Sequence, residues 1–315
     1  MRRGAPPALP PPPLASEGSV RRLSLQVAHR LDGLLQGDHL GYLPGPGTEP
    51  AEAHLYNPGD DVRRIDWAVT ARTGDAHVRQ AVAERELETT LLVDLTSSMS
   101  FGTARSEKRD VAVALAAAFG HLTTRPGDRL GAVVLGETLR RVPSRPGRLA
   151  SLALLHVLQQ TRPVEGAGPS LADGLRAVAS PPRRRGLVVV VSDLLEPGPV
   201  RAEPSWAAPL RQLTRRHDVV VAEVVDPREL ELPSVGVLRL VDPETGRHLE
   251  VQTASRRLRE RYAEAAAARR AGHAAAVRSA GAGHVLLCTD TDWLLSLAGF
   301  LAARRRTRAA GRRPR

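Results

Sequence analysis

The chain has 315 residues, a formal net charge of +11 carried almost wholly by arginine, 42% hydrophobic residues and only 3% aromatics. That length accommodates one large domain or two small ones, with a core built from Leu, Val and Ala. The single cysteine, Cys288, excludes an internal disulfide and a cysteine-held metal cluster, and because Lys108 is the only lysine, no Walker-type phosphate loop is present.

Residues 1–18 are read as a Pro-rich leader without fixed structure: prolines up to Pro13 break the apolar stretch that a signal peptide needs. No window reaches the ~18 to 20 apolar residues of a membrane span, and the expected location is cytoplasmic. Leu23, Val27, Leu31 and Leu34 fall at helical spacing and predict an amphipathic helix over 20–35, followed by a Gly/Pro loop at 41–47. Residues 49–84 are polar and turn-rich, and with the helix they make an N-terminal region over 19–85. Inside it Asp60, Asp61 and Asp66 lie among Arg63, Arg64 and Arg72. The residue types predict internal ion pairs, with Trp67 buried as an anchor and Pro58-Gly59 as a turn. A partner-docking surface has the same composition.

From 86 to 303 the pattern alternates. Strands are expected at 89–94, 130–135, 187–193, 218–225 and 284–288, with an antiparallel edge strand at 137–142. Helices are expected at 106–124, 147–161, 170–180, 204–217, 255–280 and from 292 onward, and a hairpin insertion at 235–251. This order predicts an α/β fold, a doubly wound and mostly parallel sheet with helices on both faces. Cys288 falls in the last strand as a buried residue. Residues 304–315 read as an arginine-rich tail; with no aromatic side chains between its charges to stack on bases, nucleic acid is not the expected partner.

The string Asp94-Leu95-Thr96-Ser97-Ser98 follows the first buried strand and places a carboxylate and two hydroxyls at its tip. Ligands of open α/β sheets bind outside the carboxyl ends of the strands, and Mg²⁺ takes oxygen ligands of this kind. A second strand, ending on Asp193, can aim its carboxylate at the same crevice. Scattered histidines give no zinc spacing, and no serine lies in a nucleophile elbow.

These two strands resemble the metal-ion-dependent adhesion site of von Willebrand factor type A domains, with Asp94, Thr96, Ser98 and Asp193 at matching positions. Where that pattern has a threonine, the chain has Pro169, with Ser170 one place on. The longer string from Tyr56 to Trp67, Y-N-P-G-D-D-V-R-R-I-D-W, followed by Ala71-Arg72-Thr73-Gly74, resembles the signature of the von Willebrand factor A-like "domain of unknown function 58" family. The resemblance implies a non-enzymatic protein-interaction module that partners a MoxR-type AAA+ ATPase in the assembly or maturation of other proteins. It also implies a Mg²⁺ held by Asp94, Thr96, Ser98, Asp193 and Ser170, with one coordination position left for a partner's carboxylate. Two other readings stay open: a metal-free scaffold, and a metal-dependent phosphate-ester hydrolase. No catalytic residue is assigned.

Overall fold

The structure is a computed structural model that describes residues 17–35, 53–57, 62–79, 88–103, 106–123, 127–162, 166, 168–180, 185–198, 203–241 and 248–311. In chain order the elements are α1 (Glu17–Leu35), β1 (Ala53–Leu55), α2 (Trp67–Thr73), β2 (His77–Arg79), β3 (Glu88–Asp94), α3 (Lys108–Leu122), β4 (Arg129–Leu135) and β5 (Leu139–Pro146). There follow α4 (Arg148–Gln160), α5 (Leu171–Ala179), β6 (Leu187–Ser192), α6 (Ala207–Thr214), β7 (Asp218–Val225) and α7 (Pro227–Leu230). The chain continues through β8 (Val237–Val241), β9 (His248–Gln252), α8 (Arg256–Ser279), β10 (Gly283–Cys288) and α9 (Trp293–Gly311).

The main sheet has six strands in the order β10-β7-β6-β3-β4-β5, all parallel except β5. Its inner strands are continuous apolar runs because helices cover both faces. Alternate residues serve opposite cores. Leu91 and Val93 of β3, Val189 and Val191 of β6, and Val220, Ala222 and Val224 of β7 face α1, α3, α4 and α9. Leu92, Val188, Val190, Val219 and Val221 face α5, α6 and α8.

β5 is an edge strand carrying two prolines, Pro143 and Pro146, and three arginines, Arg140, Arg141 and Arg145. Its pairing with β4 slips between Leu130 and Ala132. At the slip a Cβ on Gly131 would press on the Ser144 backbone at 3.0 Å, so the bulged partner approaches where only glycine leaves room.

Two boundaries differ from expectation. Helix α1 does not belong to a separate N-terminal region: Leu23, Val27 and Leu31 enter the main core, and Arg30 pairs with Asp292 at 2.6 Å. Nor is the C-terminal arginine run a tail from residue 304, since α9 continues through Gly311 and Arg304 pairs with Asp218 while lying over Phe300. The hairpin insertion forms as β8 and β9, and Cys288 is half-buried in β10. The stretch read as polar and turn-rich holds a small antiparallel sheet, β1 with β2, and helix α2.

Glu223 on β7 is 2% exposed and stands between two imidazoles, with His284 Nε2 at 2.8 Å and His273 Nδ1 at 3.5 Å. Burial alone would raise its pKa; the two histidines outweigh that and bring it from 4.5 down to about 2. A depressed carboxylate stabilises the fold fully above its unfolded pKa, and the contribution disappears as pH falls through 4.5 toward 2. Glu223→Gln is expected to cost about 3 kcal/mol near neutral pH and progressively less in acid. Urea denaturation of both proteins across that range checks it, and a stability gap that does not change with pH would show that the charge is not what matters.

Candidate functional site

Three neighbouring parallel strands end on aspartate. Asp94 closes β3, Asp193 follows the last residue of β6, and Asp226 follows the last residue of β7. All three are buried at the carboxyl end of the sheet, where the β3–α3 connection also delivers the first residue of α3, Lys108.

Asp94 Oδ1 accepts hydrogen bonds from the Thr96 amide at 3.0 Å and the Thr96 hydroxyl at 2.6 Å. Its Oδ2 accepts from the Ser192 hydroxyl at 2.7 Å. Thr96 is thus where the sequence put it, but the second hydroxyl on Asp94 is that of Ser192, whereas Ser98 is buried in the 3-10 turn Ser97–Ser100. Burial, with the charge of Asp193 beside it, raises the Asp94 pKa above the usual carboxylate range.

Asp193 is fixed by a strained turn. Leu194, the only non-glycine with positive φ among the described residues, has φ 61°. Its amide bonds Ser192 Oγ at 3.0 Å, and the Leu195 amide bonds Asp193 Oδ1 at 3.1 Å. This directs Asp193 Oδ2 to Lys108 Nζ, 2.7 Å away. The same ammonium reaches Glu229 Oε1 of α7 at 2.5 Å, and the Phe101 ring centre lies 5.9 Å from it. Lys108 is fully buried. Burial works to lower its pKa, but Asp193 and Glu229 outweigh it and hold the ammonium charged.

Asp226 is also fully buried and satisfies four donors: the Thr103 amide at 2.9 Å and hydroxyl at 2.6 Å, the Thr289 hydroxyl at 2.7 Å and the Arg228 amide at 2.9 Å. Burial opposes its ionisation, yet these bonds keep its pKa below the ordinary value. Lys108, Ser192, Asp226 and Glu229 were not singled out as site residues from sequence. Two signals were there to find: the run Val219–Val225 ends on aspartate as the other two strands do, and Lys108 is the sole lysine among 45 Lys and Arg residues.

Ser170 is not aimed at these carboxylates. It is the N-cap of α5, donating to Asp173 Oδ2 at 2.6 Å and accepting from the Asp173 amide at 3.2 Å. Pro169 before it has no hydroxyl. Three of the roughly four acceptor sites of Asp94 are taken, Ser98 is not one of its donors, and a buried ammonium is bonded to Asp193. The residues therefore do not fit a divalent ion held by Asp94, Thr96, Ser98, Ser170 and Asp193.

The signature region forms its own small lobe. Asp66 caps α2, accepting from the Ala68 and Val69 amides at 3.0 and 3.2 Å, and Gly74 closes that helix with φ 82°. Ile65 bridges to Val78, and the Tyr56 amide bonds the Ala76 carbonyl at 2.7 Å. Trp67 is not the buried anchor that its sequence context predicts, being 72% exposed. With Asp66 turned inward as the cap, the next residue opens the helix on its outer side. Leu55, Tyr56 and Val62 of the same lobe are exposed too. Arg63 is exposed, while Asp60, Asp61 and the Arg64 side chain lie outside the described residues.

Among known proteins, residues 52–272 match the family described as "Protein of unknown function DUF58". The uncharacterized protein Rv1480 of Mycobacterium tuberculosis is 47% identical over 325 residues, which cover 99% of each chain. Among solved structures, an aerotolerance-related membrane protein of Bacteroides fragilis is similar with a TM-score of 0.43 and 14% identity, over 70% of this chain and 99% of that one. The SpRpn10 VWA domain is similar with a TM-score of 0.36 and 12% identity, over 67% of this chain and 93% of its own. The fold class is the expected one, α/β with a mostly parallel sheet and helices on both faces. The cytoplasmic placement is corrected: the similar chain from Bacteroides fragilis is described as a membrane protein, and the placement is withdrawn. Among the described residues no helix is long and apolar enough to cross a membrane.

Proposed function

The chain belongs to the DUF58 family of proteins of unknown function, and from that premise we propose that it is a non-enzymatic protein-interaction module whose partner is a MoxR-type AAA+ ATPase. The observation that carries this reading is the exposed Trp67 on the signature lobe, which also exposes Leu55, Tyr56 and Val62. Large aromatic side chains held out on a rigid element are the groups that dominate binding energy in protein interfaces. Here the rigidity comes from the Asp66 cap at one end of α2 and Gly74 at the other. The carboxylates at the sheet end support the same reading against a hydrolase. Asp94, Asp193 and Asp226 are each held by hydrogen bonds or an ion pair inside the protein, which fits a structural role for the cluster.

In the proposed role the ATPase supplies the energy of remodelling and this chain supplies the docking face. Trp67→Ala is expected to weaken binding to the ATPase by about 2 kcal/mol, more than tenfold in affinity. Because the side chain is exposed, the fold should lose no more than about 0.5 kcal/mol. Calorimetric titration of the ATPase into both proteins, paired with urea denaturation, decides between the outcomes. Unchanged affinity would remove Trp67 from the interface, and a loss of several kcal/mol in stability would return it to the buried role that the sequence suggests.

A further inference from the structure

We propose that Lys108 is the resident cation of the sheet-end cluster: its ammonium takes the place of a divalent ion, so the protein folds and docks with no metal bound. The position lets one cation serve a strand end and a neighbouring helix at once. Nζ bonds Asp193 beyond β6 at 2.7 Å and Glu229 of α7 at 2.5 Å. Asp193 in turn lies close enough to Asp94 of β3 for its charge to act on that carboxylate. The ammonium is sealed from water. Its side chain has no exposure, the Phe101 ring lies 5.9 Å from Nζ, and the Tyr262 hydroxyl donates to the Glu229 carbonyl at 3.3 Å.

A metal ion bound to Asp193 would stand within two contact lengths of this fixed ammonium, in a setting where charge is poorly screened. Few of the oxygens it would need are open: Asp94 accepts two bonds from Thr96 and one from Ser192, and Ser170 is turned to Asp173. The residue type fits the same argument. Every other Lys or Arg position in the chain is arginine, yet this one holds lysine. A lysine ammonium is a compact point charge that can replace an ion between carboxylates, whereas a planar guanidinium needs a broad, flat partner. The remaining departure from the adhesion-site pattern, Pro169 in place of a hydroxyl, costs nothing if no ion has to be held there.

The test is a Mn²⁺ titration followed by electron paramagnetic resonance and calorimetry on the full chain, without partner, so that failure of the docking proposal leaves it intact. The wild type is expected to show no saturable Mn²⁺ binding up to about 1 mM, the weak end for all-oxygen sites. Lys108→Ala vacates the position and leaves Asp193 and Glu229 facing it; this variant is expected to gain saturable Mn²⁺ binding and to melt at a higher temperature with the ion than without it. Lys108→Arg is expected to gain neither. Saturable binding by the wild type that Asp94→Ala removes would overturn the proposal. So would a folded Lys108→Ala protein that ignores the ion. If Lys108→Ala does not fold with or without Mn²⁺, the wild-type titration alone decides: saturable binding overturns the proposal and its absence supports it.

Discussion

Lys108→Met is expected to destabilise the protein by about 3 to 5 kcal/mol, since removing one partner of a buried ion pair strands the charge of the other. Two charges are stranded here, that of Asp193, buried at the sheet end, and that of Glu229, partly buried on α7. Methionine matches the lysine stem in length, so little of the loss is a packing effect. The signature is its pH dependence. Burial holds the Glu229 carboxyl above the ordinary carboxylate range and the Lys108 charge opposes that rise; without the ammonium the rise is larger, and the penalty applies where Glu229 is ionised in the unfolded chain. It disappears as both states become protonated in acid. The gap between wild type and variant should therefore narrow steadily below neutral pH, which chemical denaturation across the range will measure. Adding Asp193→Asn to Lys108→Met should restore part of the loss. A Lys108→Met protein as stable as the wild type at neutral pH would mean that the ion pair contributes nothing.

The second large effect is expected at Asp226. Asp226→Ala leaves two amides, of Thr103 and Arg228, and two hydroxyls, of Thr103 and Thr289, without their acceptor. Each buried unsatisfied group costs ~1 to 3 kcal/mol, and water can reach some of them, so a total of about 4 kcal/mol is the expected loss. Asp226→Asn keeps one carbonyl acceptor but turns an amino group toward donors, and about half that loss is expected. The acid is also a mechanical junction. It ties the loop after β3 to the end of β7 and to the residue after β10, so its loss should speed hydrogen exchange at Thr103 and Thr289 together. Exchange confined to one of the two segments would show that they are held independently.

The fold could be read from the sequence because burial on both faces forces continuous apolar runs, and β3, β6 and β7 are such runs. The edge strand was expected at 137–142 and runs Leu139–Pro146; its far end was missed because Pro143 and Pro146 read as the close of a strand, and only an edge position tolerates them. At the site, Asp94, Thr96 and Asp193 were legible as strand-tip oxygens. The cation bonded to Asp193 was not, because Lys108 meets Asp193 and Glu229 across 85 and 121 positions, and only the folded chain brings them together. Trp67 was misplaced through a habit that usually serves well, reading an aromatic among charges as an anchor. The local sequence held the correction: an aspartate directly before it is a helix N-cap, and a side chain at the first helical position can face outward. The place of α1 was hidden for another reason. Helical spacing of Leu23, Val27 and Leu31 announces an apolar stripe without saying which core receives it.

Strand β5 sets a limit on how this protein can meet others. A sheet margin with free amides and carbonyls is an invitation to polymerise, because any extended segment can continue the ladder. Pro143 and Pro146 withdraw two of those amides, the bulge opposite Gly131 bends the margin out of register, and three arginines repel a second copy of the same edge. A positively charged chain that must stay dispersed while presenting apolar side chains elsewhere thus closes one route to fibrous self-association, and contact with other molecules is directed to side chains rather than to backbone.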